Sequence, residues 1–160
     1  MIKYRKHWKR VKGMNSSTRP TGKLFTSNIE GLRRLDVDAE LWQITRSGIE
    51  IPNAIFVRSL SPSPDLFNTF LTEWKHLPPQ VWWPEYEKRF LEELQSQEKF
   101  NYLRLIYRKL LHGVNIVLIC FCKDYNFCHR RLVGEFFRQY EVQVEELDPI
   151  TSEQLVFLWR

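Results

Sequence analysis

Long apolar runs are missing from this chain: no stretch of about 18 apolar residues occurs, so no membrane-spanning helix is expected. Charge begins immediately, within Met1 to His7, with no apolar stretch behind it, so no secretory leader is expected and a cytoplasmic setting follows. No glycine-rich loop ends in Lys-Ser or Lys-Thr, which excludes a Walker-type nucleotide site. No Gly-x-Ser-x-Gly elbow occurs, which removes the serine-hydrolase arrangement. Cysteine is scarce: the chain has three, all between Cys120 and Cys128. A disulfide framework would need an even set spread along the chain, so these thiols point to a metal site, a reactive thiol or a buried apolar trio.

Acid is also missing from one place. Met1 to Lys23 carries Lys3, Arg5, Lys6, Lys9, Arg10, Lys12, Arg19 and Lys23 and no Asp or Glu. The whole chain has 24 basic and 19 acidic residues, so the remainder holds 24 − 8 = 16 against 19, a net of −3. Basicity therefore belongs to an arm or linker over residues 1–23. Tyr4, His7 and Trp8 alternate with the charges there and could stack on bases, while a solvated arm or edge strand is the plainer alternative. Residues 24–160 read as one α/β domain. At 43% hydrophobic and 27% charged residues, global disorder is excluded.

Leu24 to Ser27 reads as a short strand and Ile29 to Leu35 as a short helix. Ala39 to Thr45 and Ala54 to Leu60 read as strands, the second continuous enough to be central. Ser63 is placed to cap a helix that Pro64 opens, with a stripe of Leu66, Phe67, Phe70, Leu71 and Trp74 assigned to core. Two further helices are expected over Pro84 to Leu94 and Glu98 to His112, the second ended by Gly113. The run Val114 to Cys122 is the strongest strand, and its unbroken apolarity implies burial on both faces of a parallel sheet. A helix over Cys128 to Gln139, a strand over Val142 to Leu147 and a closing helix over Thr151 to Trp159 complete the pattern. This is a single α/β domain, mostly parallel, with helices on both faces.

In such sheets, ligands sit beyond the carboxyl ends of the strands, which is where Cys122 to Arg130 falls. Cys120 and Cys122 share a strand face. Cys128 lies at a helix start, where free amides favour an anion and lower a thiol pKa. Arg130 and Arg131 suit phosphate or carboxylate, and His129 can move a proton. Three readings stand together: a catalytic or anion-binding pocket of Cys128, His129 and Arg130; a zinc site of Cys120, Cys122, Cys128 and His129; and simple burial, above all for Cys120. A cysteine-phosphatase loop needs five residues between its Cys and Arg, and seven separate Cys122 from Arg130.

The same residues resemble the domain-of-unknown-function 488 family, whose hallmark is a buried strand ending in Leu-Leu-Cys, a charged loop, and Cys-His-Arg opening a helix. Here these are Leu118-Ile119-Cys120 and Cys128-His129-Arg130. Phe25-Thr26-Ser27 with Leu32 to Leu35, Ile44-Thr45-Arg46, Leu60 to Ser63, and Tyr86 to Phe90 are similar to further family segments. The resemblance spans Phe25 to Leu147. It departs at Cys122, where the family often carries an acid. It implies a pocket lined by Thr26, Ser27, Arg46, Ser63 and the Cys128-His129-Arg130 turn, with Arg131 beside it. The expected ligand is a phosphate-bearing molecule, a nucleotide or nucleic acid, held by Arg46 and Arg130. A non-catalytic nucleic-acid module using the basic arm, and a phage or mobile-element protein that inhibits a host protein partner, are the alternatives.

Overall fold

The structure, a computed structural model, describes residues 19–149 and Gln154. Among these residues Leu24–Ser27 (β1), Glu40–Gln43 (β2), Ala54–Phe56 (β3), Ile116–Ile119 (β4) and Val144–Glu146 (β5) form one five-stranded sheet. Its order is β3-β2-β4-β1-β5, and every neighbouring pair is parallel. The α-helices are Pro64–Thr69 (α1), Pro79–Glu93 (α2), Gln97–Leu111 (α3) and His129–Arg138 (α4).

Strand β4 is central because its four residues, Ile-Val-Leu-Ile, are apolar on both sides, and all four are buried. Ile116 and Leu118 face a core that takes residues from every α-helix, including Leu66, Phe90, Leu103 and Phe137. Val117 and Ile119 face a smaller cluster with Phe25 and Leu147. That second face is covered by Leu32 of the 3-10 turn Glu30–Arg34 and by Leu35 and Ile51. Both faces are thus covered, as the expected α/β class requires, but all four α-helices lie on one side.

Several local expectations hold for their stated reasons. Ser63 Oγ accepts the N–H of Leu66 at the start of α1, and Pro64 occupies its first turn. Gly113 takes φ +81° just beyond α3, a conformation that favours glycine. Other expectations are corrected. The segment Ala54 to Leu60 is not a central strand: β3 lies at the sheet edge, pairs over three residues and gives way to a 3-10 turn, Arg58–Leu60. Val57 and Leu60 enter the core while Ile55 is 45% exposed, so one apolar run serves two surfaces. Pro79 opens α2 as its first-turn residue, so this helix starts five residues before the expected Pro84, which lies inside it. The helix begun by α1 widens into a π-turn over Phe70–Trp74, which leaves Leu71 exposed rather than in the core. The basic arm up to residue 18 and the predicted closing helix Thr151 to Trp159, apart from helical Gln154, lie outside the described residues. Among the described residues no helix is long and apolar enough to cross a membrane.

Candidate functional site at the carboxyl edge of the sheet

The three middle strands end in register. Ile119 pairs with Ser27 on one side and Gln43 on the other. The next residues therefore emerge at one level: Cys120 donates its N–H to Ser27 O at 3.0 Å, and Ile44 donates to Ile119 O at 2.9 Å. Buried Gln43 shapes the loop after β2, donating to Thr45 Oγ1 and Ile49 O and accepting from Ile51 N, each at 2.8–2.9 Å. Arg46 is then fastened at the rim by Nε to Pro62 O, 2.9 Å, and Nη2 to Arg58 O, 3.2 Å.

A cavity of about 390 Å³ opens at this edge. Its walls are Phe67 and Phe70 after β3, Trp82 and Tyr86 of α2, and Phe121 and Phe127 of the β4–α4 connection. The aromatic rings support one another: Trp82 meets Phe70 edge-on at 5.2 Å between centroids and Tyr86 edge-on at 5.6 Å. The polar lining comprises Thr45, Arg46, Ser47, Asp124, and the floor residues Cys120, Cys122 and His129. Burial, with the nearby Cys128, Cys122 and Cys120 thiols, holds the Tyr86 hydroxyl well above the ordinary tyrosine pKa, so it stays neutral.

The floor is a sulfur and imidazole cluster. Cys120 Sγ lies 3.7 Å from Cys122 Sγ and 3.9 Å from His129 Nδ1. The ligating atoms of Cys120, Cys128 and His129 all lie within 4.8 Å of one another, and all three residues are buried, while Cys122 is exposed. The thiols are free. Hydrogen bonds from Cys122 and Cys128, aided by the Arg130 charge, hold the Cys120 thiol well below its ordinary pKa against the opposing effect of burial. Hydrogen bonding with Cys120 and Cys128, together with burial, pushes the Cys122 thiol up. His129 Nε2 sits 2.6 Å from Ile44 O. A carbonyl only accepts, so Nε2 carries the proton and Nδ1 presents its lone pair to the thiols.

Arg130 is where the structure departs most from the sequence reading. Its side chain is 0% exposed. Nε and Nη2 donate to the two oxygens of Glu146, at 3.1 and 2.9 Å, and Nη1 donates to Cys122 O at 2.6 Å and approaches Cys128 Sγ at 3.6 Å. An anion has no access to this guanidinium. Burial opposes its charge, but Cys128 and Glu146 outweigh that and raise its pKa. Burial raises the Glu146 pKa, partly offset by Arg130 and by the Thr26 hydroxyl, which donates at 2.5 Å.

The other predicted residues are divided. Arg46, Cys120, Cys122 and His129 line the cavity. Cys128 is the N-cap of α4, and its thiol turns beneath the floor toward Arg130. Thr26 and Arg131 line a separate recess of about 110 Å³ on the far side of α4. Ser27 donates to Asn28 O, 2.6 Å, and Ser63 donates to Glu93 besides capping α1. Sequence reasoning missed Glu146, which a buried arginine on the preceding helix should have demanded, and the aromatic walls. Phe67, assigned to core, faces the cavity instead, while Phe70 packs against the core and lines the cavity as well.

The family model described as the active DUF488-N3 subclade matches residues 24–141. No curated protein and no solved structure matches.

Proposed function

We propose that this chain, which belongs to the DUF488 family, binds a nucleotide in the aromatic cavity at the carboxyl edge of its sheet. The supporting observation is the cavity itself. Its volume falls within the range of small-molecule sites, and its walls offer aromatic faces and edges on which any base can stack. Arg46, fixed at the rim by two backbone carbonyls, is the cation for the phosphate. Thr45 and Asp124 supply hydrogen-bonding groups for the base or sugar, and Cys120, Cys122 and His129 are the groups that reach the ligand from below. Compared with the expectation from sequence, the anion moves from Arg130 to Arg46, because Arg130 is committed to Glu146. A reducing, cytoplasmic setting belongs to the same reading and suits three thiols set this close together.

Titration calorimetry with nucleoside monophosphates and with inorganic phosphate tests this. At least one nucleotide should bind, more tightly than phosphate alone. Phe121→Ala and Arg46→Gln should each weaken it roughly tenfold, the scale of one lost stacking or ionic contact. Absence of binding by every nucleotide at millimolar concentration would sink the reading.

A further inference from the structure

We infer that the floor cluster is a tetrahedral site for a thiophilic divalent cation of the zinc class, with Cys120, Cys122, Cys128 and His129 as its four ligands. Zinc–sulfur bonds of about 2.3 Å in a tetrahedron put neighbouring sulfurs about 3.8 Å apart. Cys120 and Cys122 are 3.7 Å apart, so they already span one edge of such a tetrahedron. His129 Nδ1, 3.9 Å from Cys120 Sγ, is a few tenths of an ångström beyond another edge. Cys128 falls within the same 4.8 Å envelope as Cys120 and His129, whereas exposed Cys122 lies outside it and closes on the ion by turning its side chain inward.

The surroundings fit a metal better than they fit three ordinary thiols. Buried histidines that ligate a metal present one nitrogen and donate the other to a carbonyl or carboxylate, which fixes ring and tautomer. His129 does this, with Nε2 on Ile44 O and Nδ1 on the cluster. A thiolate ligand gains from an N–H donor on its sulfur, and Arg130 Nη1 approaches Cys128 Sγ. The same Nη1 donates to Cys122 O, so one guanidinium steadies the backbone or side chain of two ligands. Three thiolates leave a divalent ion with one net negative charge, and Arg130, itself paired with Glu146, points one N–H toward the Cys128 sulfur. Loading would release the thiol protons to solvent. Cys122 is the one exposed ligand, and it lines the cavity together with Cys120 and His129.

The three buried ligands are read from the thiol and imidazole geometry alone, so they do not depend on what fills the cavity. Full-length protein from zinc-supplemented cells should retain one equivalent of zinc by elemental analysis. Replacement by cobalt should give intense thiolate charge-transfer absorption and the strong visible bands of a tetrahedral centre. Cys122→Ser, at an exposed position, should fold and weaken zinc by roughly tenfold or more with reduced charge transfer. His129→Gln should keep the charge transfer and shift the visible bands. Wild-type protein that folds, retains no zinc, and gives cobalt no charge-transfer absorption overturns the inference, as does Cys122→Ser with unchanged zinc affinity. Zinc retained in a protein that binds no nucleotide would leave this site standing and remove only the nucleotide reading.

Discussion

Arg130 and Glu146 meet through two parallel hydrogen bonds, 3.1 and 2.9 Å long, between side chains that are 0% and 7% exposed. The pair ties the first turn of α4 to the end of edge strand β5, 16 residues on. Removing one partner strands the other charge in a site that water does not reach. Glu146→Gln is expected to lower unfolding stability by about 3 kcal/mol. Arg130→Lys should cost nearly as much, since a single ammonium cannot span two carboxylate oxygens. Urea denaturation of both variants checks this, and a loss near zero would mean the pair does not hold β5.

Ser63 has two jobs at the start of α1. It accepts from Leu66 N and donates its hydroxyl to Glu93 of α2, whose other oxygen takes Ser63 N at 2.9 Å. Ser63→Ala should cost about 1–2 kcal/mol, the upper range for an N-cap. Ser63→Thr, which keeps the hydroxyl, should recover most of that in the same thermal melts.

Gly48 is a point where stability and the cavity wall separate. Its φ of +106° disfavours any side chain, and a Cβ there would lie 2.5 Å from the Phe121 ring. Gly48→Ala is expected to push Phe121 from its place on the wall as well as cost about 1 kcal/mol or more. Nucleotide affinity should therefore fall in this variant along with stability, whereas Ser63→Ala should leave affinity unchanged.

Lys99 gives the protein an alkaline pH response. Its ammonium is almost buried and donates to Ser59 O at 2.8 Å and Ser61 O at 2.7 Å. Burial lowers its pKa from 10.5, and Arg46 adds to that, while Glu93 and Glu98 oppose it. Between the lowered folded value and the unfolded value the unfolded chain binds more protons, so this residue's contribution rises with pH. That contribution is complete above the unfolded pKa and is lost as pH falls through the folded one. The stability difference between wild type and Lys99→Met, measured by urea unfolding from neutral pH to pH about 10.5, should grow in the wild type's favour. A flat difference would contradict it.

Much of this architecture could be read in advance because it is written locally. The β-branched run around Val117, the Ser63-Pro64 opening and Gly113 each announce their structure within a few residues. Position in the sheet is another matter. Ala54 to Leu60 looks as apolar as a central strand, and only pairing decides that Ile55 faces solvent. The site divides the same way. Cys120, His129 and Arg46 could be placed at the carboxyl edge from strand ends alone. The fate of Arg130 could not, because it depends on Glu146 reaching it from a strand that arrives later. Phe67 shows the remaining limit: a helical apolar stripe has the same spacing whether it faces a core or an open cavity.

The strand order carries a consequence for how the protein is made. Among the described strands β1 is the first to leave the ribosome, yet its two neighbours are β4 and β5, the last two. Leu24 pairs with Ile116, so about ninety residues must be added before β1 has any partner. At typical synthesis rates that is a wait of roughly 5–20 seconds. During it Leu24 and Phe25 stay unsatisfied, and the sheet cannot begin from its amino-terminal end. β2 and β3 can pair early, but the sheet as a whole must close late, when β4 inserts between β1 and β2 and brings Cys120 to its place.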